Sequence, residues 1–307
     1  MKISFRDDYS ELAHPRILRA LAELGNRQCE GYGLDEYSME ASRLIGERVD
    51  RPGVSVHFVS GGTQANLTVI GSLLRPFEAV IAAESGHIAV HEAGAIEATG
   101  HRICLAEGKN GKISVDGIEK VVRLHYGDDH RVNPKMVFIS NSTEVGTLYH
   151  KSELEEISSY CKEEDLYLYM DGARLGAALA STQNDLSYAD VARLCDIFYL
   201  GGTKNGAMFG EAIVIANDKM KCGFTVAMKQ RGARLAKGAA LGLQFLELFR
   251  DGLYEENAKH ADDMAMRLAD GLAAAGYNFL FPPETNQIFP IFPNATVKKL
   301  HEIFEFY

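Results

Sequence analysis

Four segments of the chain carry residues that could do chemistry, and each follows a short apolar run. They are the glycine-rich turn at 60–63, the imidazole of His87, the carboxylate of Asp171 and the amine of Lys204. In open α/β sheets, ligands bind beside the carboxyl ends of the strands. We therefore expect the four segments at one edge of a sheet, where they can contact a single ligand.

The turn at 60–63 reads Ser-Gly-Gly-Thr and lies between a strand pattern and a helix pattern. Free amides at a helix N-terminus attract a phosphate, glycines let it approach closely, and Thr63 adds a hydroxyl donor. A plain glycine-rich turn between strand and helix is the alternative interpretation. The segment is not a Walker A loop, because no Gly-Lys-Ser or Gly-Lys-Thr closes it.

A carboxylate and a lysine each follow an apolar run. Asp171 comes after Leu-Tyr-Leu-Tyr-Met, where burial is costly unless the carboxylate meets a cation or a donor. An N-cap for the next helix is the alternative. Lys204 comes after Gly-Gly-Thr, where partial burial would lower the pKa of the amine and let it attack an aldehyde. A solvated turn lysine is the alternative.

His87 lies in Ser-Gly-His, a few residues past a strand pattern. Its imidazole could stack on a flat ring or move protons near neutral pH, or it could be structural. His91 lies four residues on, but no third ligand is apparent, so no metal site is predicted. Together, a phosphate-binding turn, a buried carboxylate, a loop lysine and an imidazole are the groups that hold pyridoxal phosphate.

The elements that position these groups alternate between strand and helix patterns, which predicts a mostly parallel sheet with helices on both faces. Ser152 with Glu155 predicts a capping box at the start of one helix. Short strands are predicted at 54–58, 79–82, 103–105, 136–140, 166–170, 195–200 and 212–215.

After about residue 232 the pattern becomes mainly helical. One predicted helix ends at Gly276, and a last strand at 287–292 and a helix over 297–306 follow it. The apolar stripe of the first of these helices consists of Ala261, Met264, Leu268 and Leu272. The predicted domains are an N-terminal arm at 1–30, a large domain at 31–240 and a smaller α+β domain at 241–307.

The composition argues against several classes of partner. A formal net charge of -10 repels phosphate backbones and anionic membranes. Five widely spaced cysteines without a Cys-x-x-Cys pair favour a reducing compartment over a disulfide framework. The polar N-terminus lacks an apolar signal core, and no apolar run is long enough for a membrane helix. We expect a cytoplasmic protein with no nucleic-acid or membrane partner.

Several longer motifs follow one another along the chain. They are Ser-Gly-Gly-Thr-Gln-Ala-Asn at 60–66, Ser-Gly-His-Ile at 85–88, Glu-Ala-Gly at 92–94, Met-Asp-Gly-Ala-Arg at 170–174, Gly-Thr-Lys-Asn-Gly at 202–206 and Arg-Gly-Ala-Arg-Leu-Ala-Lys-Gly at 231–238. In this order they resemble the threonine aldolase and β-eliminating lyase family, from Phe5 to about Phe292. The resemblance implies the fold type I of pyridoxal-phosphate-dependent transferases, with a three-layer, mostly parallel large domain.

The resemblance also implies roles for single residues. Lys204 would bind the aldehyde of pyridoxal phosphate, Asp171 would bond the pyridine nitrogen, and His87 would stack on the ring and is a candidate base. Arg174 would lie near the substrate carboxylate. The implied phosphate contacts are Gly62 and Thr63, with Thr203 close by, and Lys237 from across a subunit interface.

Three further implications concern the substrate. Tyr32 would reach the site of a neighbouring subunit in a homodimer or homotetramer. Thr143 stands where many relatives have a second active-site histidine, which leaves the general base open. Relatives continue into a C-terminal strand with an arginine that binds the substrate carboxylate, whereas this sequence ends at Tyr307. The small domain is therefore expected to be incomplete.

The expected activity is retro-aldol cleavage of a β-hydroxy amino acid, threonine or allo-threonine, to glycine and an aldehyde. A β-eliminating lyase that acts on another amino acid is one alternative. A catalytically impaired homologue that still binds pyridoxal phosphate is the other.

Overall fold

Residues 2–307 of the computed structural model contain thirteen strands and twelve α-helices. The strands are β1 (Ile3–Ser4), β2 (Ser55–Val59), β3 (Glu78–Ala83), β4 (Ile103–Ala106), β5 (Gly108–Lys109), β6 (Lys112–Ile113), β7 (Asn133–Ser140), β8 (Tyr167–Asp171), β9 (Ile197–Gly201), β10 (Glu211–Ile215), β11 (Asn278–Phe279), β12 (Pro290–Ile291) and β13 (Phe304–Glu305). The helices are α1 (Pro15–Leu24), α2 (Glu36–Arg48), α3 (Gly62–Leu73), α4 (His87–Val90), α5 (Val115–His125), α6 (Lys151–Glu163), α7 (Leu175–Ala180), α8 (Tyr188–Leu194), α9 (Phe224–Gln230), α10 (Ala239–Arg250), α11 (Leu253–Ala274) and α12 (Asn294–Leu300).

Seven strands form the central sheet in the order β2-β10-β9-β8-β7-β3-β4. Neighbouring strands from β9 to β4 pair in parallel, and β10 is antiparallel to both of its neighbours. The sheet separates two hydrophobic clusters, because successive side chains of a strand point to opposite faces. In β9, Phe198 and Leu200 pack into one cluster and Ile197 and Tyr199 into the other. The predicted mostly parallel α/β architecture is confirmed, and each predicted strand of this sheet is present.

The predicted capping box at Ser152 and Glu155 is wrong. Helix α6 begins at Lys151, so Ser152 already lies in its first turn. Glu153 Oε2 accepts the hydrogen bond from the His150 N–H at 2.8 Å, and the same carboxylate is held by Lys112 Nζ at 2.6 Å. A long-range ion pair with Lys112 thus holds Glu153, which forms the capping box of this helix together with His150.

The C-terminal segment also differs from its prediction. The strand expected at 287–292 is reduced to Pro290–Ile291, which pairs with β11. The helix expected over 297–306 ends at Leu300, and β13 follows it. This strand pairs in parallel with β1 at the other end of the chain. Pairing between residues three hundred positions apart leaves no local pattern in the sequence, so the prediction missed it.

Helix α11 is present as predicted, and Gly276 lies beyond its end in the left-handed region, at φ 86°. The predicted apolar stripe is not its buried face, because Met264 and Leu268 are 45% and 41% exposed. The buried face carries Leu253, Tyr254, Ala258, Asp262 and Ala269. The division of the chain at residue 240 stays a prediction.

No helix within residues 2–307 combines the length and the apolar character that crossing a membrane would require.

Candidate active site

Asp171, the loop of Lys204 and the glycine-rich turn lie at the carboxyl edge of the central sheet. β8 ends at Asp171, in register with Ser140 at the end of β7. β9 ends at Gly201, and the loop that carries Lys204 follows it. Since β10 runs antiparallel to its neighbours, its first residue, Glu211, lies at the same edge opposite Gly201. The strand ends therefore bring together groups that are far apart in the sequence.

Asp171 is buried, with 4% of its surface exposed. Its Oδ1 accepts hydrogen bonds from the Tyr199 hydroxyl at 2.5 Å and from the Ala173 N–H at 3.0 Å. Its Oδ2 accepts one from Asn66 Nδ2 at 3.1 Å. Three donors thus fix the orientation of a carboxylate that has little contact with solvent. The bond to Ala173 is a local contact, but helix α7 begins at Leu175 with Arg174 at its N-cap position. Asp171 therefore does not cap this helix, and the interpretation as a buried carboxylate that meets donors is the one that holds.

His87 is linked to Asp171 through two buried side chains. Its Nδ1 lies 2.8 Å from Glu92 Oε1, and Asn66 Nδ2 donates to the same oxygen at 2.6 Å. The Tyr169 hydroxyl donates to Asn66 Oδ1 at 2.7 Å and orients that amide between Glu92 and Asp171. The hydrogen bond with Glu92 raises the pKa of His87, while burial opposes it and the charge of Asp171 supports it.

This network also explains a cluster of possible metal ligands. The ligand atoms of His87, Glu92 and Asp171 lie within 4.8 Å of one another. Because Glu92 bonds His87 directly and Asn66 joins Glu92 to Asp171, their proximity needs no ion. The ring of His91 lies 5.6 Å from that of His87, tilted by 50° to it, and His91 does not belong to the cluster.

Lys204 lies in a partly buried position on the loop after β9. Burial lowers the pKa of its amine, and the positive charge of Arg174 lowers it further. The carboxylates of Asp8, Asp171 and Glu211 act in the opposite direction. Loss of the proton makes the amine a nucleophile, so this environment favours the reactive form that the sequence predicted.

Arg174 is engaged by a carboxylate of the N-terminal arm. Its Nε lies 2.6 Å from Asp8 Oδ2 and its Nη2 lies 3.0 Å from Asp8 Oδ1. Asn286 Nδ2 donates to Asp8 Oδ2 at 3.0 Å. Burial would raise the pKa of Asp8, but the charge and hydrogen bonds of Arg174 outweigh it and lower that pKa. The arginine expected to bind a substrate carboxylate thus already holds one in bidentate geometry.

The glycine-rich turn presents uncapped backbone amides. Helix α3 begins at Gly62, and no side chain caps its N-terminus. A Cβ on Gly62 would lie 3.0 Å from the Tyr199 hydroxyl, so glycine lets this turn approach the group that holds Asp171. Thr63 is exposed at the start of the helix. In contrast, Thr203 Oγ1 is engaged at 2.9 Å with Glu211 Oε1.

The segment around Thr143 contributes a different residue than predicted. Thr143 is fully buried, and its Oγ1 lies 2.8 Å from Thr147 Oγ1 within a turn. The next residue, Glu144, accepts hydrogen bonds from the His87 N–H at 2.9 Å and from Ser140 Oγ at 2.6 Å. Burial raises the pKa of Glu144. In this structure Thr143 shapes the turn, and Glu144 is the residue in contact with His87.

Tyr32 and Lys237 contact other parts of the chain. Tyr32 has a positive φ of 62°, and Lys229 Nζ lies 4.3 Å from the centre of its ring. Tyr32 and Arg234 line a cavity of about 210 Å³, together with His57. Burial lowers the pKa of His57 to about 4. Lys237 is exposed.

Several residues that complete the site have no role predicted from the sequence. Asn66 and Glu92 lie inside the motifs at 60–66 and 92–94, and their place in those motifs is the signal that could have found them. Nothing local marks the others as site residues, because their role depends on strands and loops from distant parts of the chain. The residues missed are Asp8, Asn66, Glu92, Glu144, Tyr199, Glu211 and Asn286.

The donor set fits pyridoxal phosphate. The uncapped amides of α3 suit the phosphate, and the oriented carboxylate of Asp171 suits a protonated ring nitrogen. The amine of Lys204 suits the aldehyde. Glu92 Oε2 is buried without a partner in residues 2–307. These observations come from separate elements, and together they describe a site for one phosphorylated, electrophilic ring.

Glu92→Gln tests the network around His87. We expect the variant to lower the pKa of His87, because it removes the hydrogen-bonded charge that raises it. If neutral His87 accepts a proton in the reaction, the acid limb of the pH profile of kcat/KM should move to lower pH. Glu97→Gln, at an exposed position five residues on, is the control. An acid limb that stays in place would contradict a role for this pair.

Comparison with known proteins identifies the family. Residues 17–294 match the family model of β-eliminating lyases. The low specificity L-threonine aldolase of Pseudomonas aeruginosa is 33% identical over 290 residues, which cover 92% of this chain and 82% of that protein. The resemblance drawn from the motifs is thereby confirmed.

Comparison with solved structures supports the same family. A threonine aldolase of Leishmania major superposes with a TM-score of 0.96 at 49% identity, covering 99% of this chain and 88% of that one. A mutant aspartate aminotransferase of Thermus thermophilus, 16% identical, has a TM-score of 0.69 over 95% of this chain and 76% of that one. The second likeness concerns the fold, and it confirms the expected fold type I. By sequence and by structure, the chain belongs to the β-eliminating lyase family.

Proposed function

We propose that this protein is a pyridoxal-phosphate-dependent aldolase that cleaves threonine or allo-threonine to glycine and acetaldehyde. The observation that carries the proposal is the convergence of Lys204, Asp171, His87 and Arg174 at one sheet edge. The threonine aldolase names of its relatives from Pseudomonas aeruginosa and Leishmania major support it.

In the proposed mechanism the cofactor, when bound, supplies an electron sink for the bond that breaks. Lys204 would hold the cofactor through its amine, which is the nucleophile that an aldehyde requires. Asp171 places a negative charge where the ring nitrogen carries its proton. Arg174 holds the substrate carboxylate and thereby orients the substrate. Uncapped amides of the turn at 61–63 hold the phosphate.

His87 moves the proton in this proposal. The cleavage requires a base for the β-hydroxyl proton, and the imidazole of His87, or a water that it orients, can accept it. Glu92 fixes the ring through Nδ1 at 2.8 Å, which leaves Nε2 for the substrate. Glu144, bonded to the His87 backbone, fixes the position of the residue itself.

A β-eliminating lyase is the second candidate, and the family name supports it. The two reactions give different products from the same site, so an assay decides between them. We expect purified protein with threonine, allo-threonine and phenylserine to release glycine and an aldehyde. Release of pyruvate or another keto acid with ammonia would favour β-elimination. Cofactor binding without turnover of any hydroxy amino acid would indicate an impaired homologue.

Asp8→Ala tests whether the ion pair between Asp8 and Arg174 competes with the substrate carboxylate. Without Asp8, the buried charge of Arg174 loses its partner, so the free protein should be less stable by about 1–3 kcal/mol. The same unpaired arginine should bind a substrate carboxylate more tightly, and the KM for threonine should fall. Thermal unfolding with and without threonine, together with steady-state kinetics, measures both effects. Asp7→Ala is the matched control, and a higher KM in Asp8→Ala would show that Asp8 instead supports substrate binding.

We further propose a homodimer or homotetramer with shared sites. Apolar side chains near Tyr32 are exposed, with Leu34 at 50% and Met39 at 59%. In this arrangement Tyr32 and Lys237 act at the site of a neighbouring copy. Sedimentation gives the subunit number. A cytoplasmic location, expected from the composition, stays a prediction.

Co-expression of two inactive variants tests the shared site. Lys204→Ala and Tyr32→Ala should each have low activity alone, whereas a mixed oligomer contains one site with both native residues. We therefore expect activity to return in the mixture, measured as glycine formed per subunit. Mixtures that stay inactive, despite mixed oligomers shown by affinity tags, would rule out a contribution of Tyr32 across the interface.

A further inference from the structure

The carboxyl group of Glu211 is buried next to the reactive lysine and has no part in the chemistry proposed above. Glu211 is the first residue of β10 and is 4% exposed. It pairs with Gly201 on one side and with Val59 on the other. Those residues lead into the lysine loop and into the glycine-rich turn, so Glu211 lies between the two segments that the cofactor would contact.

Both oxygens of Glu211 contact the residues directly before Lys204. Oε2 accepts a hydrogen bond from the Gly202 N–H at 2.9 Å, and Oε1 lies 2.9 Å from Thr203 Oγ1. Thr203 Oγ1 also accepts a hydrogen bond from the Gly210 N–H at 3.0 Å. The carboxyl group therefore ties Gly202 and Thr203 to the start of β10, and the Thr203 hydroxyl links them to Gly210.

Two glycines let this loop approach its neighbours closely. A Cβ on Gly202 would lie 2.7 Å from Gly210 O and 2.7 Å from Phe245 Cζ. Gly210 itself has a φ of 115°, which disfavours any residue with a side chain. Both positions therefore require glycine, and the contacts that a change at Glu211 alters directly are its hydrogen bonds to Gly202 and Thr203.

The protonation of Glu211 decides which way the Thr203 hydroxyl donates. An ionised carboxylate can only accept, so it takes the hydroxyl hydrogen of Thr203. A protonated carboxyl group can donate from Oε1 to Thr203 Oγ1 while Oε2 still accepts from Gly202. In that state the hydrogen of Thr203 is released for another acceptor.

The surroundings bring this proton equilibrium close to neutral pH. Burial raises the pKa of Glu211 to about 8, against the hydrogen bonds from Thr203 and Gly202 and the charge of Lys204, and the charge of Asp171 raises it further. The titratable groups that face it come from the loop, from β8, from β9 and from α11. They are Lys204, Asp171, Tyr169, Tyr199 and Tyr254.

We propose that Glu211 is a positioning residue whose protonated form frees the Thr203 hydroxyl to donate to a phosphate group, and whose ionised form withdraws it. This inference rests on the proposed cofactor role of Lys204. The role requires a group that gains and loses a proton, because only such a group can reverse the hydrogen bond between Glu211 Oε1 and Thr203 Oγ1.

Cofactor affinity as a function of pH tests the proposal. Apoprotein is titrated with pyridoxal phosphate between about pH 6.5 and 9.5, and the visible absorbance of the lysine-bound cofactor gives the Kd. Glu211→Gln offers a donor to Thr203 and an acceptor to Gly202 at every pH. We expect it to match the native protein at the acid end and to bind about fivefold more tightly at the alkaline end, the worth of roughly one hydrogen bond.

Glu78→Gln is the matched control. Glu78 is also buried, at 7% exposure, and also accepts a backbone hydrogen bond, from Arg75 N at 2.7 Å. It begins the parallel strand β3, so it lies at the opposite edge of the sheet. The cofactor Kd of Glu78→Gln should follow that of the native protein at every pH.

Thr203 variants complete the test. Thr203→Ser should keep the alkaline loss of affinity, and Thr203→Val should lack it, which gives an answer even if Glu211→Gln does not fold. Parallel curves for the native protein and Glu211→Gln would overturn the proposal, and so would an alkaline loss that persists in Thr203→Val. If the native protein itself never acquires the visible absorbance, the proposed function fails instead.

Discussion

Lys204→Ala should abolish both the visible absorbance of the lysine-bound cofactor and the cleavage of threonine. The amine of Lys204, the proposed nucleophile, is in a partly buried position where burial and Arg174 lower its pKa. Alanine cannot bind an aldehyde covalently, so the variant loses the covalent link rather than only some affinity. Absorbance after addition of pyridoxal phosphate, and mass spectrometry after borohydride reduction, measure the link directly.

Two controls separate this effect from misfolding. Lys204→Arg keeps a cation at the site but cannot condense with an aldehyde, so it should also lose the covalent link. Lys259→Ala removes a surface lysine of α11 that pairs with Asp263, and it should behave as the native protein. A borohydride adduct that forms in Lys204→Ala at the native level would place the covalent site on another lysine.

Asp171→Asn should lower kcat for threonine cleavage by about 10²–10³-fold, the cost typical of removing one preorganised electrostatic partner. Asparagine keeps the size of the side chain and can still accept hydrogen bonds from Tyr199 and Ala173. The negative charge opposite the ring nitrogen is lost. Because Lys204 is intact, the covalent absorbance should persist, so binding and turnover should separate in this variant.

Tyr199→Phe is the informative comparison for Asp171. It removes the 2.5 Å hydrogen bond to Asp171 Oδ1 but leaves the carboxylate charged and still bonded to Ala173 and Asn66. We expect kcat for threonine cleavage to fall about tenfold, which corresponds to the loss of one hydrogen bond. If Asp171→Asn were no worse than Tyr199→Phe in steady-state assays, the charge of Asp171 would not be what the reaction requires.

Local patterns were enough to place the first groups of the site. Short apolar runs identified the strands of the central sheet, and a rule about strand ends then put Lys204, Asp171 and the glycine-rich turn on one edge. These predictions hold because a strand buried on both faces of the sheet needs a continuous apolar run, and such a run has a visible end in the sequence.

The partners of those groups could not be read in the same way. Glu211 approaches Lys204 because β10 is antiparallel, and strand direction has no signature in a run of apolar residues. Asp8 meets Arg174 from 166 positions away, across the N-terminal arm. The N-cap of α6 is His150 rather than Ser152, and its capping partner Glu153 also binds Lys112 from a distant strand.

The amino-acid sequence alone therefore settles the types of reactive group and the order in which the chain presents them. The tertiary structure decides what surrounds each group and in which direction its pKa moves. Burial lowers the pKa of Lys204 and raises that of Glu211 to about 8. Arg174 forms an ion pair with Asp8, and a hydrogen bond to Glu92 orients the ring of His87. Desolvation and charge act through space, so their effect exists only once distant segments are packed together.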